Sequence, residues 1–217
     1  MNHLNKKILL FLVLMVMPYL KGFDFPITDK TNVAIFYGDI TRSNVEAIVN
    51  AANEQLLGGG GVCGAIFAAA DRAQLQVECD KYPICPGTNT VRCPTGQARI
   101  TSSCALAKRG IQYIIHTVGP DCRKIFDKQE QDELLTKTYE SALALADQHG
   151  ITSIAFPFIS SSIYAFPKER AARIALETIN KYILEHKNMT CLKQVNIVLF
   201  IKDDYNLFIK KSFVLKN

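Results

Sequence analysis

The residues of this chain that could do chemistry gather in three short segments: Gly38-Asp39-Ile40-Thr41, Asn50-Ala51-Ala52-Asn53 with Gly58 to Gly61, and Ser160-Ser161-Ser162-Ile163-Tyr164. Four consecutive glycines expose backbone N–H groups without side-chain obstruction, and a helix starting directly after them adds a partial positive charge. A diphosphate suits that arrangement. A flexible linker has the same composition, and on these residues alone the two readings stand level, although linkers rarely run from Asn-Ala-Ala-Asn straight into a patterned helix. The three serines can present a second set of donors facing the first, while an ordinary turn is the simpler account of them taken alone. Cys63 follows the glycines at a helix start, a place that favours thiolate chemistry. No partner base is identifiable for it, and a small buried cysteine or half of a disulfide is the commoner role. Histidines at 3, 116, 149 and 186 are scattered and no Cys-x-x-Cys pair exists, so no zinc and no other cofactor is expected.

These segments need elements to hold them. Apolar runs at 34–37, 47–49, 98–101, 111–118, 151–158 and 195–201 read as strands, the fourth nearly continuous as a fully buried strand should be. Helical spacing marks 65–77, 130–149 with Gly150 at its C-cap, 168–186 introduced by Pro167, and a short stretch near 205–211. Strands alternating with helices make a layered α/β/α domain. In such open sheets ligands bind beyond the carboxyl ends of the strands, which is where all three segments fall.

Composition bounds the rest. A chain of 217 residues with 48% hydrophobic content can bury one compact core. Residues 1–22 stand apart: Lys6 and Lys7 precede an uncharged apolar run, 8–17, that Pro18, Tyr19, Leu20 and Lys21 close. This is the layout of a signal peptide, too short for a membrane span, and it directs the protein to a secreted or periplasm-like compartment. With no Ala-x-Ala cleavage pattern, an uncleaved membrane anchor is the alternative. Residues 23–32 read as a linker and 33–217 as the domain. Lys6, Lys7 and Lys21 carry three of the five net positive charges, so the domain retains about +2 and no arginine cluster, weak footing for nucleic acid. Seven cysteines suit an oxidising compartment and leave at least one thiol free; Cys85 and Cys93 bracket a loop that a local bridge could close, with Cys79 a third candidate. Oligomeric state is not legible.

Six strings in order carry a family resemblance: Gly38-Asp39-Ile40-Thr41, Val49-Asn50-Ala51-Ala52-Asn53, Gly59-Gly60-Gly61-Val62, Thr95-Gly96-Gln97-Ala98, Ile115-His116-Thr117-Val118-Gly119-Pro120 and Ile163-Tyr164. Over residues 33 to 210 the chain resembles the macrodomain family, most of all the branch that hydrolyses mono-ADP-ribosyl proteins and O-acetyl-ADP-ribose. The resemblance implies a three-layer α/β/α fold with a mixed central sheet and a site for ADP-ribose or an ADP-ribosylated protein. It implies that Asp39 accepts from the adenine amino group with Ile40 beside the ring, although Asp39 also suits a turn cap shared with Thr41. Asn53, which can donate and accept at once, meets the distal ribose diol. Asn50 pins the loop backbone. Gly59, Gly60, Gly61 and Val62 line the diphosphate and distal ribose, opposed by Ser160, Ser161, Ser162, Ile163 and Tyr164. Tyr164 and Phe166 wall the sugar and Phe200 stacks on adenine, while His116 is a core residue. The branch usually places an Asp where this chain has Cys63, a His where it has Phe67, and glycines where it has Ser162 and Ala165. Asn53 and Cys63 are thus the catalytic candidates, and a binding module without turnover is the alternative.

Overall fold

The structure is a computed structural model that describes residues 21–214. Among the described residues seven strands form one sheet: β1 (Lys21–Pro26), β2 (Asn32–Tyr37), β3 (Ala47–Ala51), β4 (Ala98–Ser102), β5 (Tyr113–Thr117), β6 (Ser153–Phe156) and β7 (Gln194–Leu199). Their spatial order is β1-β2-β7-β6-β3-β5-β4. The five inner strands run parallel and each edge strand is antiparallel to its neighbour, so the sheet is mixed. Five α-helices cover it: α1 (Gly61–Ala69), α2 (Arg72–Asp80), α3 (Lys128–Gln148), α4 (Lys168–Glu185) and α5 (Lys202–Val214).

Strand periodicity divides the core in two. In β3, Ala47 and Val49 face the layer of α3, α4 and α5, whereas Ile48 faces α1 and α2; in β6, Ile154 and Phe156 take the first side and Ala155 the second. Successive residues of a strand point to opposite faces, and both faces here are covered, so the inner strands are mostly apolar, with Asn50, His116, Thr117 and Asn196 as buried polar exceptions. The result is the three-layer α/β/α architecture expected.

Three expectations change. Residues 23–32 are not simply a linker: β1 pairs with β2 from Lys21↔Tyr37 to Pro26↔Asn32, leaving only a short turn after it. The helix expected over 65–77 is two helices, because Asp71 adopts φ 69° and its carboxylate accepts from the N–H groups of Ala73 and Gln74. That is a new N-cap, and it restarts the chain in a different direction. The thiols of all seven cysteines are free, Cys63, Cys79 and Cys93 being buried. The leader expected over 1–22 lies outside the described residues except for its last two positions.

Candidate functional site

The sheet order creates a divergence between β3 and β6. After β3 the chain turns into α1 on one face, and after β6 it turns into α4 on the other, although the two strands are adjacent and parallel. A crevice must open between loops that leave neighbouring strand ends in opposite directions. A cavity of about 220 Å³ occupies it, lined from the β3 side by Ala51 to Asn53 and Gly59 to Cys63, and from the β6 side by Phe158 to Ser160, Ser162, Ile163 and Tyr164.

Asn53 shapes the first loop. Its carboxamide closes a small ring with one residue, accepting from Leu57 N–H at 3.0 Å and donating to the Leu57 carbonyl at 2.7 Å. Leu56, inside that ring, takes φ 58° and is buried. One amide proton and one oxygen lone pair of Asn53 remain for a ligand. The glycines follow, with Gly60 as N-cap of α1 and Gly61 at φ 57°. A Cβ on Gly64 would lie 2.6 Å from the Gly59 carbonyl, so helix and loop touch through backbone alone. Across the mouth, the nearest atom to a Cβ on Gly60 is Cδ1 of Ile163, at 3.5 Å.

Cys63 sits in the first turn of α1, 5% exposed and lining the cavity. Its sulfur accepts from Gly59 N–H at 3.4 Å and from Asn50 Nδ2 at 3.6 Å. Asn50 is fully buried and contacts side chains rather than the loop backbone: the same Nδ2 lies 3.1 Å from His116 Nδ1, while Oδ1 has no partner. His116 is held in turn by Thr101 Oγ1 at 3.0 Å from Nε2. Burial holds this imidazole at a pKa of about 3, so it is neutral and structural, as its place in a buried strand implies.

The second loop is held tightly. Ser160 and Ala165 both adopt left-handed φ, 61° and 53°. Phe166 N–H donates to the Ser160 carbonyl and Ala165 N–H to that of Ser162. Ser160 lines the cavity with its hydroxyl unpartnered. Ser161 does not face the cavity, because its hydroxyl donates to the Phe158 carbonyl at 2.9 Å. Phe166 is corrected too: it is 2% exposed, packed into the core with the Arg170 guanidinium 4.6 Å from its ring centre, so of the two expected aromatic walls only Tyr164 lines the cavity.

Asp39, Ile40 and Phe200 lie beyond the cavity. Gly38 N–H donates to the Leu199 carbonyl, bringing Asp39 and Phe200 together at the ends of β2 and β7. Asp39 Oδ1 caps the turn by accepting from Thr41 N–H and Oγ1, both at 2.9 Å. The Ile40 side chain packs into the core, while Phe200 is 78% exposed.

Sequence reasoning gave no role to Gly119 or Phe158, which complete the lining. Gly119 was within a quoted string, and the signal was its type: any Cβ there would collide with the Ser160 hydroxyl and come 2.7 Å from Ile159 Cγ2. Among the lining residues there is no carboxylate and no imidazole.

Comparison with known proteins identifies the fold. The family model described as Macro domain matches residues 49–175. O-acetyl-ADP-ribose deacetylase 1 of Pantoea vagans is 44% identical over 82% of this chain and 96% of its own length. The ADP-ribose glycohydrolase MACROD2 of Xenopus laevis is 41% identical over 82% of this chain, which spans 39% of that longer protein. Among solved structures, the Oceanobacillus iheyensis macrodomain with ADP superimposes with a TM-score of 0.80 at 38% identity, covering 91% of this chain and 97% of that one. The Trypanosoma brucei macrodomain in complex with ADP-ribose gives 0.69 at 35%, covering 82% and 68%. The family model, these relatives and the shared fold agree, and the chain belongs to the macrodomain family.

Proposed function

We propose that this protein binds ADP-ribose, free or attached to a protein, and hydrolyses the bond between the distal ribose and its acyl or protein acceptor. The observation that carries this is the cavity at the β3/β6 divergence, where unobstructed amides of the glycine loop face the loop that carries Ser160. Backbone N–H groups at the start of α1 suit a diphosphate, with Asn53 and Tyr164 at the distal sugar. The shelf of Asp39 and Phe200 suits a purine, the carboxylate's outer oxygen accepting from an exocyclic amine and the exposed ring offering a stacking face.

In the reaction, water gives a proton to a base and attacks either the anomeric carbon, breaking its bond to the acceptor, which leaves as a carboxylate, or the ester carbonyl, breaking the acyl–oxygen bond so that the ribose oxygen leaves and takes that proton. Asn53 orients the distal ribose, and Cys63 lies beside it in the first turn of α1. With no carboxylate or imidazole in the lining, the base is the substrate's own diphosphate. The same feature favours a second reading, a module that holds ADP-ribose without turnover.

Two measurements separate these. Calorimetric titration should show ADP-ribose binding at least about tenfold more tightly than AMP, since AMP lacks the group the glycine loop encloses. Millimolar ADP-ribose giving no heat would end both readings. Incubation with a mono-ADP-ribosylated protein should then release ADP-ribose above background; tight binding without release would leave the module alone.

A further inference from the structure

Tyr164 is an aromatic wall of the cavity, yet it stands in a loop where Ser160 and Ala165 are both in left-handed conformations that side chains resist. A strained loop keeps one shape only when its surroundings fix it. The turn after β5 does this. Cys122 N–H donates to the Tyr164 carbonyl at 2.9 Å, and the Arg123 guanidinium lies 5.7 Å from the Tyr164 ring centre. Arg123 is itself tied down: Asp121 takes Nε at 2.8 Å on one oxygen and Nη2 at 2.7 Å on the other. That fork is planar and bidentate, the geometry that locks a guanidinium in orientation as well as place. Asp121 is almost enclosed, and Arg123 holds its carboxyl below the ordinary range. Lys124 and Ile125 N–H groups both donate to the Asp121 carbonyl, so the turn is rigid.

We propose that Asp121 and Arg123 are positioning residues that clamp the Tyr164 ring and thereby make the site prefer ligands with a distal ribose over plain nucleotides. This rests on the ADP-ribose reading above. Neither residue lines the cavity, so both act through Tyr164. Guanidinium and ring attract through the ring's quadrupole, and Asp121 fixes the guanidinium against rotation. With the clamp gone, the half-buried phenol is free to swing from the sugar while the glycine loop keeps its hold on phosphate.

The test compares ADP-ribose with ADP on the full protein and on Arg123→Ala, Asp121→Asn and Tyr164→Ala. Arg123→Ala should weaken ADP-ribose by about threefold or more and leave ADP within about twofold. Asp121→Asn should reproduce part of that loss, although it touches neither ring nor ligand. In the Tyr164→Ala background, Arg123→Ala should cost nothing further, because residues that act through one another are not additive. Equal losses for both ligands, additive losses, or no loss in any variant would each overturn the clamp. Should the unaltered protein bind ADP-ribose normally while Arg123→Ala matches it, the clamp alone fails. If the unaltered protein binds neither ligand, the ADP-ribose reading itself has failed.

Discussion

Cys63 occupies a position prepared for an acceptor. Gly59 N–H and Asn50 Nδ2 both point at its sulfur, at 3.4 and 3.6 Å, and it lies in the first turn of α1 where negative charge is favoured. A carboxylate there would find donors waiting. Cys63→Asp is therefore expected to raise hydrolysis of a mono-ADP-ribosyl ester by about tenfold or more, with ADP-ribose affinity kept within about threefold. Single-turnover assays beside calorimetry check this, and an unchanged rate at intact affinity removes the carboxylate as the limiting part. Behind Cys63, His116 makes a different prediction. Its folded pKa of about 3 lies below the ordinary 6.5, so the unfolded chain binds the proton first. The stability it contributes is complete above pH 6.5 and declines as pH falls towards 3, by at most about 1.4 kcal/mol per pH unit. Denaturant unfolding between pH 7.5 and 5 should show that decline, and the His116 ring resonances should not titrate in the same range. What the sequence disclosed at this scale was residue type against motif. Asn53, the glycines and Tyr164 were legible because their place in an ordered string fixes which of them line the cavity. Phe166 and Ser161 were not, since a loop with two left-handed residues turns successive side chains in directions that no period predicts.

At the scale of elements, the two loops that enclose the cavity store different kinds of constraint. Ala165 sits at φ 53°, a conformation costing an L-residue about 1–2 kcal/mol, while glycine there would lose about 0.4–1 kcal/mol through its freer unfolded chain. The difference favours Ala165→Gly by roughly 0.5–1 kcal/mol, readable in a urea midpoint. Gly64 works the other way. Alanine is the better helix former, yet its Cβ would stand 2.6 Å from the Gly59 carbonyl, and backbone cannot step aside as a flexible side chain can. Gly64→Ala should thus displace the glycine loop and weaken ADP-ribose by about tenfold or more, with little change in helix content. Helix existence was legible from apolar spacing at 130–149 and 168–186, both long enough to show several turns. The division at Asp71 was not, because the alanine-rich run before it and the apolar spacing of Leu75 after it sustain a helical pattern through a residue whose carboxylate had become a cap.

The whole molecule is a sheet whose inner strands are covered on both faces, so its exposed weaknesses are its two edges. On one of them β2, with sequence Asn-Val-Ala-Ile-Phe-Tyr, would be a long apolar edge strand if β1 did not pair with it. Such an edge is a template for association with another chain. Of the six β1 pairs, four lie from Phe23↔Ile35 to Pro26↔Asn32, and Phe23 packs against the larger core. This element escaped sequence reading because it is short and interrupted by Asp24, and its worth comes from what it covers rather than from its own pattern. Two shortened proteins measure that worth. Removing residues 1–22 leaves those four pairs and should change the unfolding free energy by less than about 1 kcal/mol. Removing 1–26 uncovers β2 and should cost on the order of 2–3 kcal/mol, with self-association visible by size exclusion at micromolar concentration. If the second protein were as stable and as monodisperse as the first, β1 would be an ornament of the sheet, and the edge of β2 would need another explanation for its solubility.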